Sequence, residues 1–200
     1  MIIGDKSKFA IESGITEAYE RLSWIALGFF LIHIQGYAYG VREPDATMLA
    51  CSFNEVRERV ARRGTHIAAF AEDTDAGRIA DAIRKALYTP GQENEHFFGI
   101  SQLELRTLIR GNHLIWAPDG DEAFDDGSFV MQFDVGNRVR LIGFKSSEEG
   151  YDSSSLRDVW LGVDEFYGVL TEWSKAFESH WATIPKVHEN QQFSGFVIGV

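Results

Sequence analysis

The residues of this chain best suited to chemistry are carboxylates. Between residues 111 and 137 there is no Lys or Arg, while Asp119, Asp121, Glu122, Asp125, Asp126 and Asp134 place six acids there. The run 116–133 (WAPDGDEAFDDGSFVMQF) sets that acid between aromatic residues. An uncompensated cluster of this kind repels nucleic acid and anionic lipid, and it attracts a cation or a basic protein. Calcium is the first chemistry to test, because an oxygen-rich loop with Gly120 and Gly127 suits a hard cation. The EF-hand spacing fails, with Ala123 at the third ligand position and Phe124 where glycine is required. Two readings remain for 119–126. One is a solvated connection between strands, rich in turn formers. The other is a docking surface for a basic protein, in which Trp116 and Phe124 supply exposed apolar anchors and Asp119, Asp121, Glu122, Asp125 and Asp126 pair with Lys or Arg. Acid combined with aromatic residues favours the docking surface. A metal-dependent hydrolase or a small-ligand domain using the same loop is the alternative.

Other constellations offer less. The six histidines, His33, His66, His96, His113, His180 and His188, include no pair at helical ligand spacing and have no neighbouring cysteine, so no metal or cofactor is expected. His33 reads as a strand histidine with a satisfied hydrogen bond, and His96 as a surface residue. No nucleophile elbow, P-loop, glycine fingerprint or Cys/His arrangement is present, which argues against catalysis. Arg57, Arg59, Arg62 and Arg63 alternate with Glu55 and Glu58 and read as a solvated helix face with internal ion pairs. Binding to nucleic acid through that face would oppose a formal net charge of −11.

The elements that position these residues follow from periodicity. Segments 8–15 and 28–42 read as strands, the second folding into a hairpin near Gly36. Ser52 with Glu55 suggests a capping box opening a helix that Gly64 closes after Arg63. Thr74 or Asp75 starts a second helix through Ile79, Ile83 and Leu87, stopped by Pro90 and Gly91. A third begins at Ser101 with Glu104. Residues 114–116, 128–135 and 139–144 return to β. For the last pair a three-residue loop is expected, setting Phe133 opposite Val139 and Met131 opposite Leu141, because a two-residue turn at Gly136 and Asn137 would face Phe133 with Arg140. After a strand near 159–163, a helix over 164–181 carries Phe166, Leu170, Trp173, Phe177 and Trp181 as a core-facing stripe. The fold class is α+β, a mostly antiparallel sheet packed against helices in one domain over residues 1–186, with 187–200 a tail, docked or free.

Composition sets the remaining bounds. Residues 1–110 carry 13 basic and 15 acidic side chains, residues 111–200 carry 6 and 15, so the excess acid lies in the second half. Cys51 is the single cysteine and requires no oxidising compartment. The opening MIIGDKSKFAIE lacks the apolar stretch of an export signal, and the apolar run 24–34 is well short of the roughly 20 residues that cross a bilayer. A cytoplasmic protein without membrane contact is expected.

Four segments together resemble one family: Ile3, Gly4 and Asp5 with Phe9, Ala10 and Ile11; residues 43–52 (EPDATMLACS); residues 116–128 (WAPDGDEAFDDGS); and Trp160 with Asp164, Glu165, Phe166 and Tyr167. They are similar to the immunity 42 family of bacterial polymorphic-toxin systems, over about residues 1–186. The resemblance implies a non-enzymatic cytoplasmic protein that binds and neutralises a cognate toxin domain delivered by a neighbouring bacterium. It transfers no contact residues, so the partner-binding residues named above rest on charge and spacing alone.

Overall fold

The computed structural model describes residues 1–21, 25–89, 95–118, 120–147 and 150–187. The chain opens with β1 (Ile2–Asp5), β2 (Phe9–Tyr19), β3 (Ala26–Ile34), β4 (Tyr37–Tyr39) and β5 (Thr47–Met48). A helical middle follows: α1 (Ala50–Ala61), α2 (Ala76–Tyr88), the small hairpin β6 (His96–Phe97) and β7 (Ile100–Ser101), and α3 (Gln102–Gly111). The chain then forms β8 (Ile115–Ala117), β9 (Ser128–Val135), β10 (Arg138–Ser147) and β11 (Gly150–Gly162), and closes with α4 (Val163–Thr183) and β12 (Lys186–Val187). The first sheet runs β1-β2-β3-β4, with β5 on β3 and β12 parallel to β2. The second, β11-β10-β9-β8, is antiparallel throughout. The α+β class expected from the sequence is the one observed.

The second sheet is the middle layer. Strand alternation sends Val130, Val139, Leu141 and Leu161 to one face, where they share a core with Phe30 and Ile32 of the first sheet and with α4. Phe129, Met131, Phe133, Ile142 and Phe144 go to the other, against Ile79 and Ile83 of α2 and Leu105 and Ile109 of α3. The late stripe follows its spacing in four of its five residues: Phe166, Leu170, Trp173 and Phe177 are fully buried, while Trp181 is half-buried against the same core. Asp75 caps α2 by accepting from the Arg78 amide at 3.1 Å, and Ser101 with Glu104 closes a capping box on α3. The expected stop at Pro90 and Gly91 lies outside the described residues.

Three expectations are corrected. Strands β9 and β10 join through the two-residue turn at Gly136 and Asn137, pairing Val135 with Arg138 and Phe133 with Arg140, one residue away from the expected register. Gly136 takes φ +57°, the left-handed opening such a turn requires. The objection to facing Phe133 with a charge disappears because Arg140 is neutralised where it is buried. Its Nε and Nη2 donate to the two Asp158 oxygens at 2.8 and 2.6 Å, and Nη1 donates to the carbonyls of Ala71 and Thr74 at 2.7 and 2.8 Å. Helix α1 begins at Ala50, with Leu49 in the cap position and no side-chain cap. Ser52 donates to Asp121 instead, at 2.5 Å, and Glu55 pairs with Arg59 at 2.7 Å. Arg59 therefore leaves the solvated face: it is 1 % exposed, while Arg57 and Arg63 stay at the surface.

On the far side of the first sheet a second buried charge is satisfied. The Glu12 carboxylate receives Lys6 and Arg42, each at 2.7 Å, and His33 Nε2 at 2.9 Å, which also gives His33 the partnered strand role its sequence context indicated. Burial pushes the Glu12 carboxyl up, but the three donors outweigh it and hold it at about 2, below the ordinary 4.5. Because the folded-state value is depressed, the contribution is complete above pH 4.5 and is lost as pH falls toward 2. In acid-unfolding titrations the stability gap between wild type and Glu12→Gln should stay constant above about pH 5 and shrink below it; a gap independent of pH would refute the assignment. Phe177→Ala should lower unfolding free energy by about 3–5 kcal/mol in urea titration, the cost of a cavity at a fully buried ring.

Candidate functional site

The acidic segment leaves β8 at Ala117 and re-enters the second sheet at Ser128, making a short 3₁₀ turn over Glu122–Phe124. Asp121 caps that turn. Its Oδ1 accepts from the Ala123 amide at 3.0 Å and from Thr47 Oγ1 at 2.7 Å, while Oδ2 accepts from Ser52. Asp126 accepts from the Ser128 amide at 3.0 Å and pairs with Lys145. Asp134 is buried, accepting from Tyr167 Oη at 2.9 Å, the Gly64 amide at 2.8 Å and Gln132 Nε2 at 3.2 Å. Both aromatic residues expected as exposed anchors are in the core. Phe124 is 3 % exposed and meets Phe30 edge-on at 6.1 Å; Trp116 is 1 % exposed, under the Arg59 guanidinium at 5.1 Å. The 3₁₀ turn directs Phe124 inward, and strand alternation directs Trp116 inward.

What remains at the surface is smaller than the sequence suggested. Asp119 lies outside the described residues. Glu122 and Asp125 are exposed, whereas Asp121 and Asp126 are half-buried and committed to internal partners. The structure adds two carboxylates that sequence reasoning missed. The Val41 amide donates to the Ala123 carbonyl at 2.7 Å and joins the acidic turn to the segment between β4 and β5, where Glu43 and Asp45 are exposed. That segment is tied down in turn by Arg42 on Glu12 and by Thr16 Oγ1 donating to the Pro44 carbonyl at 2.5 Å. The only local signal was the pair of acids flanking Pro44; the bond to Ala123 spans too much sequence to read from pattern.

The hollow beneath the turn, lined by Phe30, Ser52, Glu55, Trp116 and Asp121 among others, measures about 70 Å³. Ligand sites run to roughly 300–1,000 Å³. Among the described residues no group of three or more His, Cys, Asp or Glu side chains is placed to hold a metal ion. The arrangement therefore suits contact with a macromolecule better than enclosure of a small one. Among the described residues no helix is long and apolar enough to cross a membrane.

Comparison with known proteins bears on what that macromolecule is. The family model described as immunity protein 42 matches residues 1–176. The chain belongs to that family. It is a toxin-neutralising immunity protein, and its partner is a cognate toxin. The crystal structure of CdiI from Burkholderia dolosa AUO158 is similar to this immunity protein at 15 % identity, with a TM-score of 0.58, covering 88 % of this chain and 99 % of that one. At that identity the likeness concerns the fold. No curated protein matches the immunity protein's sequence.

Since Phe124 closes the core, Phe124→Ala should destabilise the immunity protein by about 3–5 kcal/mol in chemical denaturation. Glu122→Gln, on the same turn but exposed, should stay within about 0.5 kcal/mol. Equal effects would place Phe124 at the surface after all.

Proposed function

We propose that this immunity protein works in the cytoplasm by occupancy. It binds its toxin one to one, without turnover, and sets Glu122, Asp125, Glu43 and Asp45 against a basic surface of the toxin. The family match over residues 1–176 carries the immunity role. The acidic contact is supported by the net charge of −11, by its concentration after residue 110, and by two loops fixed to each other through Val41 and Ala123. A toxin that acts on nucleic acid needs a basic substrate surface, and a fixed array of carboxylates can take the place of phosphates there. Opposite charge also speeds encounter, to roughly 10⁸ M⁻¹s⁻¹ or more at low salt, which an antidote requires.

With Trp116 and Phe124 buried, the loop supplies rim charge and no anchor, so its variants act on association. Glu122→Lys combined with Asp125→Lys should slow capture of the toxin domain encoded upstream of the gene about tenfold or more at low salt, with less effect at high salt and an unchanged circular-dichroism spectrum. Association rates that do not respond at either ionic strength would return the loop to a purely structural role. The immunity role itself is tested by co-expression: cells carrying the toxin and this chain should survive, and continued killing would reject it.

A further inference from the structure

Helices α1 and α4 leave an open groove between them. Two hollows of about 280 and 430 Å³ share Val60, Thr171 and Lys175 and so form one channel along the helix pair. Its floor is apolar and aromatic, with buried Phe53 and Tyr167, over which the guanidinium groups of Arg57 and Arg63 lie at 5.4 and 5.3 Å. The rims differ in sign. Arg57 stands on the α1 side, whereas Glu172 and Glu178 line the α4 side with Lys175 between them; Arg63 is already matched across the groove by Asp164 at 2.5 Å.

Gly168 lines the same groove, inside α4 and exposed. A Cβ built there meets nothing within 4 Å, and φ is not positive. Nothing within the described molecule uses the missing side chain, yet glycine inside a helix costs about 1 kcal/mol relative to alanine. No contact inside the described molecule accounts for the missing side chain, which leaves the backbone at Gly168 open to close approach from outside.

We propose that this groove is a second contact for the toxin and receives an amphipathic α-helix of it, with Gly168 at the closest approach. A helix laid between two others packs its side chains into the channel at an axial separation of about 8–10 Å, and the absent side chain permits the short end of that range. The rims specify the occupant: a helix with an apolar face, carboxylates on the flank toward Arg57, and Lys or Arg on the flank toward Glu172 and Glu178. The inference rests on the immunity role but not on the acidic loops.

The experiment measures dissociation of the purified, catalytically inactivated toxin domain encoded beside the gene from wild type, Gly168→Ala and Gly168→Leu. Alanine should raise the thermal midpoint by about 2–4 °C while speeding dissociation several-fold. Leucine, which fills the channel, should speed it by at least tenfold. A raised midpoint with unchanged dissociation would overturn the groove contact. If the Glu122→Lys, Asp125→Lys variant is slowed in association while both Gly168 variants bind as wild type does, the groove falls and the acidic contact stands; the converse result keeps the groove and removes the loops. Sedimentation of the immunity protein alone closes the remaining case: a dimer that Gly168→Leu dissociates, with toxin binding unaffected, would make a second copy the occupant and reject the toxin helix.

Discussion

A sheet covered on both faces has nowhere to put a charge except among groups that satisfy it, an opposite charge or a set of hydrogen-bond partners, and that constraint organises this molecule. Strands β9 and β10 sit between the first sheet with α4 on one side and α2 with α3 on the other. Each ionised side chain they carry inward is met by a complete set of partners: Arg140 by Asp158 and two carbonyls, Asp134 by Tyr167, Gln132 and the Gly64 amide. Leaving one such charge unmatched costs several kcal/mol, a sizeable share of a domain's net stability. Beside Asp158 and Gln132 of the sheet itself, the partners come from the segment before α2, from the turn after α1 and from α4, so satisfying the charges also fixes where the helical layers sit. Arg59 extends the scheme to the sheet's edge, donating to Gln132 and to the His113 and Ile115 carbonyls of the chain entering β8.

The same constraint explains why the acidic turn is not the free surface its composition suggests. The connection from β8 to β9 begins and ends on the second sheet but packs against the first, where Phe124 meets Phe30 and Asp121 meets Thr47, and it covers the edge of the core they share. Phe124 covers the core edge, Asp121 gathers Thr47, Ser52 and the Ala123 amide, and Asp126 holds Lys145. Carboxylates are well suited to such work because one group accepts several donors at once. Composition counts acids without regard to where their donors lie, and here the donors come from residues 47, 52 and 145.

Legibility in the sequence followed the range of the interaction. The caps at Asp75 and Ser101, the turn near Gly36 and the buried stripe of α4 are set by residues within a few positions of one another, and all were readable. The register of β9 on β10 was misread because its decisive partner, Asp158, lies eighteen residues beyond Arg140 on a strand whose pairing no local pattern gives. Ser52 looked like a cap for the same reason: a serine three residues before a glutamate satisfies the local rule, while its real acceptor is sixty-nine residues away. The candidate contact surface followed suit. Glu122 and Asp125 were readable as acid, but that their turn is joined to the segment carrying Glu43 and Asp45 rests on long-range bonds such as those of Val41 to Ala123 and Gly40 to Ser128.

Helix α1 gives the two proposed contacts a common frame. Ser52 in its first turn fixes Asp121, and with it the turn that displays Glu122 and Asp125, while Phe53 and Val60 face the groove shared with α4. At 1.5 Å per residue the distance along α1 from Ser52 to Val60 is about 12 Å, so a single partner domain can reach both. The two contacts act on different steps. Exposed carboxylates at the rim act on the encounter, where long-range attraction matters, and contribute little once water is excluded. An apolar channel contributes nothing at long range and resists separation once filled. In the proposed complex the first contact lies on loops tied to α1 and the second on α1 itself, so that charge would orient the toxin relative to the groove before the groove is entered. For a protein that has to intercept a toxin before it reaches its target, that order of events matters more than the strength of either contact alone.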